Sequence, residues 1–147
     1  MAAVKPKYKR PESILLVVYT LAGEVLMLRR KSPQGFWQSV TGSLEWGESP
    51  RQAAERELFE ETGLQFSGRI TDCLQSRRFP IISPWRARYA PGVDYNREHW
   101  FRLPLPGHRT IRLNPQEHVE LRWMPRGQAV RTASSWTNRE AISQFVG

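Results

Sequence analysis

The chain alternates short apolar runs with polar, proline- or glycine-bearing breaks, and the runs predict the elements. Ser13 to Tyr19 (SILLVVY) is apolar and rich in β-branched residues at strand length, which predicts a buried strand. Leu21 to Glu24, with Gly23, reads as a turn, and Val25 to Arg30 (VLMLRR) as a second strand completing a hairpin. Lys31 to Gly35 is a loop. Phe36 to Thr41 is a third strand candidate and leads into a Gly42–Gly47 loop. A helix follows: Ser49 is placed as N-cap, Pro50 at the first helical position, and Gln52 closes a capping box. Ala54 and Leu58 are spaced to bury one face, and Gly63 is placed to end the helix in a left-handed cap.

Leu64 to Leu74 reads as a strand broken at Gly68. Gln75 to Arg97 has no clear period and reads as a long loop, a length that in a small domain points to function. Glu98 to Leu103 and Val119 to Met124 alternate as strands. In the tail, Thr137 and Glu140 form a second capping-box pattern. Ala141, Ile142, Phe145 and Val146 share one helical face behind it. There are no repeats and no low-complexity linkers. The expectation is one α+β or α/β/α domain over residues 1–147.

Composition narrows the class. At 147 residues with 6 Trp, 6 Phe and 4 Tyr, the chain has the aromatic density of a packed core, which excludes disorder throughout. No apolar run reaches the roughly 18 residues needed to span a membrane, and the basic start leads into no signal-type segment. The single Cys73 excludes an internal disulfide and a cysteine-based zinc site. A cytoplasmic protein without a membrane partner is expected. Most of the six tryptophans, Trp100 among them, are expected in the core.

The net charge of +8 is unevenly spread: six of the 14 acidic residues fall between Glu45 and Glu61, a window of net charge −4. An acidic spot on a basic body suits a cation at the spot and a polyanion around it. Within the helix, Glu57 and Glu61 are four apart and Glu60 borders the same face. Such like charges oppose one another and, near the C-terminal end, the helix dipole. Hard oxygen ligands in this arrangement suit Mg²⁺ or Mn²⁺. His99, His108 and His118 show no ligand spacing and are assigned to no metal.

The wider pattern is Gly-x5-Glu-x7-Arg-Glu-Leu-x-Glu-Glu-x-Gly-Leu, with fixed points Gly42, Glu48, Arg56, Glu57, Leu58, Glu60, Glu61, Gly63 and Leu64. These nine positions over 23 residues resemble the Nudix box at every fixed position. The resemblance implies an α/β/α sandwich around a mixed sheet, the box forming a loop–helix–loop, and hydrolysis of a diphosphate linked to another moiety. It implies Glu57, Glu60 and Glu61 as catalytic metal ligands for Mg²⁺, with Mn²⁺ possible, and a salt bridge from Arg56 that orients Glu48. Gly42 would let the backbone approach the metal. Glu117, in Asn-Pro-Gln-Glu-His, is the candidate outside the box, both as ligand and in catalysis.

Four segments extend the likeness: Tyr8–Pro11, Phe36–Ser43, Arg88–Val93 and Ser135–Arg139. They resemble the bacterial branch of the family that acts on dihydroneopterin triphosphate in folate synthesis. That branch releases pyrophosphate, leaves the monophosphate, and has a side activity on dATP. The resemblance places Lys9, Arg29, Thr41, Phe79 and Ser135 around a small-molecule triphosphate. Lys9 and Arg29 would hold phosphates and Phe79 would stack on the ring. Trp46 and the Arg77–Trp85 stretch depart from the pattern. Two alternatives remain at this point. One is a broad (deoxy)nucleoside triphosphate pyrophosphohydrolase for nucleotide sanitation. The other is a basic nucleic-acid-binding module, which leaves the acidic helix unexplained. The expected enzyme has no obligatory nucleic-acid partner, and the sequence assigns it no oligomeric state.

Overall fold

The apolar run at Ser13–Tyr19 becomes β1 (Glu12–Thr20), the central strand of the computed structural model, which describes residues 7–83 and 85–147. Strands β2 (Glu24–Arg30), β3 (Trp37–Gln38), β4 (Val40–Ser43), β5 (Thr71–Pro80), β6 (Tyr95–Leu105) and β7 (His118–Pro125) complete one sheet. Its order is β3-β2-β1-β6-β5, with β4 also pairing β1 and β7 pairing β2. β1 and β6 run parallel, from Glu12 opposite Arg97 to Thr20 opposite Leu105, and the other pairings are antiparallel. The sheet is therefore mixed.

Both faces of β1 are covered, which is why its apolar run does not alternate with polar residues. Ile14, Leu16 and Val18 pack with Ala53, Ala54 and Leu58 of helix α1 (Pro50–Thr62). Leu15 and Val17 face the other way, onto Trp100, onto Ala129 of α2 (Arg126–Thr132), and onto Ala141 and Ile142 of α3 (Trp136–Phe145). The result is the expected helix–sheet–helix layering in the α+β class.

Several expectations shift. The Phe36–Thr41 run splits at Ser39, whose N–H leaves the ladder and donates to Asn138 Oδ1 at 2.8 Å. Gly42 and Ser43, read as loop, stay in β4 opposite Ile14 and Ser13. The expected strand at Leu64–Leu74 starts only at Thr71, after a 3₁₀ turn at Ser67–Arg69, and runs on to Pro80 inside the presumed loop. β5 is an edge strand whose register slips between Asp72 and Ser76, with Leu74 at φ 56° and exposed, so no clean alternation survives. A second 3₁₀ turn lies at Arg86–Arg88. α2 was not anticipated. The cap of α3 is Ser135, which accepts from the N–H of Asn138, rather than Thr137, which is buried in the first turn. Of the six tryptophans, Trp100 alone is fully buried, whereas Trp46 and Trp136 are exposed. Among the described residues no helix is long and apolar enough to cross a membrane.

Candidate active site

Helix α1 begins and ends as its sequence dictates. Ser49 Oγ accepts from the N–H of Gln52, the Gln52 side chain accepts from the N–H of Ser49, and Gly63 closes the helix at φ 78°. With both ends fixed, Arg56 lies over the preceding loop. Its Nε and Nη2 donate to the two oxygens of Glu48, both at 2.8 Å, in the bidentate geometry that a guanidinium favours. Nη2 also donates to Ser43 O at 3.0 Å, and Nη1 to Glu57 Oε1 at 2.7 Å and Glu60 Oε2 at 3.2 Å. One arginine thus ties the loop to the helix through Glu48, the pairing that the resemblance implied, and also sets the Glu57 carboxylate. Gly42 passes directly beneath that carboxylate, and a Cβ there would overlap it.

Glu57 and Glu61 are buried, whereas Glu60 is turned outward and half exposed. Glu61 accepts from the N–H of Thr41 at 3.2 Å. From the other side, Asn114 holds a turn: its backbone oxygen accepts from the N–H groups of Glu117 and His118, and its side chain from that of Gln116. The turn delivers exposed Glu117 and buried His118 to Glu61, and one ligand atom of each lies within 4.8 Å of the other two.

Burial is the main cause that raises the pKa of Glu57 and Glu61. Glu57 is pushed up to about 7 despite Arg56, with Glu60 and Glu117 adding to the rise. Glu61 is held well above the ordinary carboxylate range by burial, Glu57 and Glu117. Burial, then Arg30, pushes His118 down to about 4, so its imidazole is neutral at pH 7. Gln38 donates Nε2–H to His118 Nε2 at 3.2 Å, while the buried Nδ1 has no partner among the described residues. Crowded carboxylates beside a neutral imidazole, over a backbone stripped of its Cβ, fit a divalent cation.

A cleft of about 1550 Å³ opens over these groups. Lys9, Thr41, Phe79 and Ser135 line it, as do Glu57, Glu60, Glu61 and Glu117. Desolvation, then Arg88 and Arg30, lowers the pKa of Lys9. Arg29 is not among the lining residues: it donates to Glu120 Oε1 at 2.9 Å, and the next residue of the strand, Arg30, faces the cleft in its place. Phe36 and Trp85 pack edge to face, centroids 5.7 Å apart, as a further aromatic wall.

The NUDIX domain model matches residues 9–145 of this chain. The chain belongs to the Nudix family. It is 46% identical to the dihydroneopterin triphosphate diphosphatase of Escherichia coli K12 over 143 residues, covering 95% of this chain and 94% of that protein. It is 38% identical to the Haemophilus influenzae enzyme of the same name, covering 95% of this chain and 90% of that protein. The solved structure of the E. coli dihydroneopterin triphosphate pyrophosphohydrolase superposes with a TM-score of 0.88 at 46% identity, covering 96% and 98% of the two chains.

The Nudix box accounts for one wall of the site, and the rest comes from outside it. Sequence reasoning reached Glu117 through the resemblance but passed over two neighbours. The histidines lack mutual spacing, yet His118 meets the box carboxylate Glu61 from a strand 57 positions away. Its adjacency to Glu117 was the available signal. Arg30 was passed over in favour of Arg29. Strand alternation separates the two, since Leu26 and Leu28 face α1 and Arg30 continues that face.

Proposed function

We propose that this Nudix pyrophosphohydrolase cleaves dihydroneopterin triphosphate to dihydroneopterin monophosphate and pyrophosphate in folate synthesis, with a side activity on dATP. The observation that carries the reading is the near full-length likeness to diphosphatases named for that substrate, joined to an intact set of box carboxylates opening on an aromatic-lined cleft. Glu57, Glu60, Glu61 and Glu117 would hold Mg²⁺, and the same oxygen set suits Mn²⁺. Such an ion offsets phosphate charge and lowers the pKa of a water.

The remaining work falls to the chain. Arg56, fixed on Glu48, keeps Glu57 over Gly42, and the Thr41 N–H holds Glu61. Lys9 and Arg30, cations that line the cleft beside the carboxylates, grip phosphates, and Arg29, held by Glu120, lies next to Arg30 on the strand. Phe79 covers the flat ring. Ser135 presents its hydroxyl at the start of α3. A carboxylate of the set takes the proton of the attacking water.

The test is product analysis with dihydroneopterin triphosphate. One pyrophosphate is expected per pterin monophosphate, with the reaction abolished by EDTA and restored by Mg²⁺. Release of single phosphates without pyrophosphate, or turnover indifferent to EDTA, would overturn the proposal.

A further inference from the structure

Two buried polar groups in the cleft wall lie outside the carboxylate set and have no assigned task. The alternation of β6 places Asn96, Glu98 and Trp100 on one face. Trp100 is core, whereas Asn96 and Glu98 line the cleft, only 3% and 6% exposed. Asn96 donates Nδ2–H to Ser13 Oγ at 2.7 Å, and its buried Oδ1 has no hydrogen-bond partner among the described residues. Glu98 Oε1 accepts from Trp100 Nε1 at 3.1 Å, and the Thr137 hydroxyl donates to the same carboxylate.

Among the described residues no cation pairs with Glu98. Arg77 stands opposite it in the β5–β6 register, but its guanidinium is spent on Glu140, at 2.7 Å, and on the Trp100 ring, 4.1 Å from the centroid. Burial accordingly raises the Glu98 pKa. A carboxylate offers about four lone-pair positions, and two donors leave acceptor capacity over. An unmatched buried acceptor costs stability unless a ligand supplies the donor. The wall therefore presents two under-used acceptors, and Phe79 sits directly opposite Asn96 in the β5–β6 register.

The complement of that wall is a flat ring carrying adjacent N–H donors on one edge. The 2-amino-lactam edge, an N–H beside an NH₂, has this form, and pterin and guanine share it. Adenine instead presents one donor beside an acceptor. We infer that Glu98 and Asn96 form a ring-reading subsite for the 2-amino-lactam edge of the substrate, with Phe79 over its face. This rests on the proposed function only in taking the ring and the phosphates to share one cleft. It assigns the choice of ring to residues outside both the Nudix box and the proposed metal ligands.

The experiment compares wild type with Glu98→Gln on dihydroneopterin triphosphate, dGTP and dATP. Alongside it, unphosphorylated neopterin is titrated in EDTA, which reads ring recognition without metal or phosphate. A site built to hydrogen-bond a donor edge discriminates strongly. Glu98→Gln should lower kcat/KM for the pterin and for dGTP by about 10²-fold. It should hold or raise dATP turnover, because an amide pairs with adenine's donor–acceptor edge. Neopterin binding should weaken in parallel. An equal loss on all three substrates, or no loss, would overturn the inference, as would neopterin binding that is absent in wild type or identical in the variant. Failure of wild type to hydrolyse any of the triphosphates would instead strike the proposed function. Should Glu98→Gln not fold, Asn96→Ala carries the same comparison, with the same outcomes deciding.

Discussion

Gly42 lies so close under Glu57 that the space a Cβ would fill is already taken by the Glu57 carboxyl group. Strand β4 and helix α1 meet at this point, so the backbone of one supports the acidic side chain of the other. Gly42→Ala should therefore push Glu57 off Arg56 while leaving the fold standing, because the displaced atoms are the end of a side chain. A misplacement of about 1 Å at a reacting centre costs on the order of 10²-fold in rate. The check is kcat/KM against thermal melting. Activity should collapse with little change in melting temperature, and unchanged activity would contradict the account.

Glu61→Gln separates function from stability. Burial beside Glu57 and Glu117 makes an ionised Glu61 costly to the fold. The amide keeps the shape and can still accept from the Thr41 N–H. The variant should melt at the same temperature or higher and lose turnover by about 10³-fold or more at saturating Mg²⁺. Near wild-type turnover would remove Glu61 from the proposed metal set.

Arg56→Lys retains the charge and loses the fork. The bidentate grip on Glu48 and the bond to Ser43 O cannot both be rebuilt by an ammonium. A loss of about 1–3 kcal/mol is expected in urea unfolding, together with lower activity. A variant as stable as wild type would show that the fork does not tie the loop to the helix.

Stability should also respond to acid through Glu12. His99 Nε2 donates to its carboxylate at 2.9 Å and Arg10 adds two further donors, and these hold its pKa below the ordinary value. A depressed carboxylate pKa stabilises the fold above the unfolded value of about 4.3, and that contribution fades as pH falls through the folded one. Glu12→Gln should thus be less stable than wild type at pH 7, and the gap should close below about pH 4. A gap constant with pH would contradict the assignment.

Much of this was written in local sequence. The box helix was legible because its signals are local: a cap, a proline, a glycine and a buried face within 15 residues. β1 and β2 were legible because both bury an uninterrupted apolar run. β5 was not, because an edge strand with a register slip and with Thr71, Asp72 and Leu74 all exposed leaves no period to read. The break at Ser39 was invisible because its cause, Asn138, lies 99 positions away. In the site, Arg29 and Arg30 look alike in one dimension and part only when the pleat assigns them to opposite faces. Glu98 reads as an ordinary strand glutamate until its burial without a cation is seen.

The most direct measurement is a side-by-side rate comparison in Mg²⁺ on dihydroneopterin triphosphate, dATP, dGTP, an oxidised dGTP and a dinucleoside polyphosphate. The account predicts that the pterin leads by about tenfold or more in kcat/KM. It places dATP behind as a side activity. An oxidised dGTP or a dinucleoside polyphosphate in the lead would contradict it, leaving a Nudix hydrolase whose cleft reads a different ring.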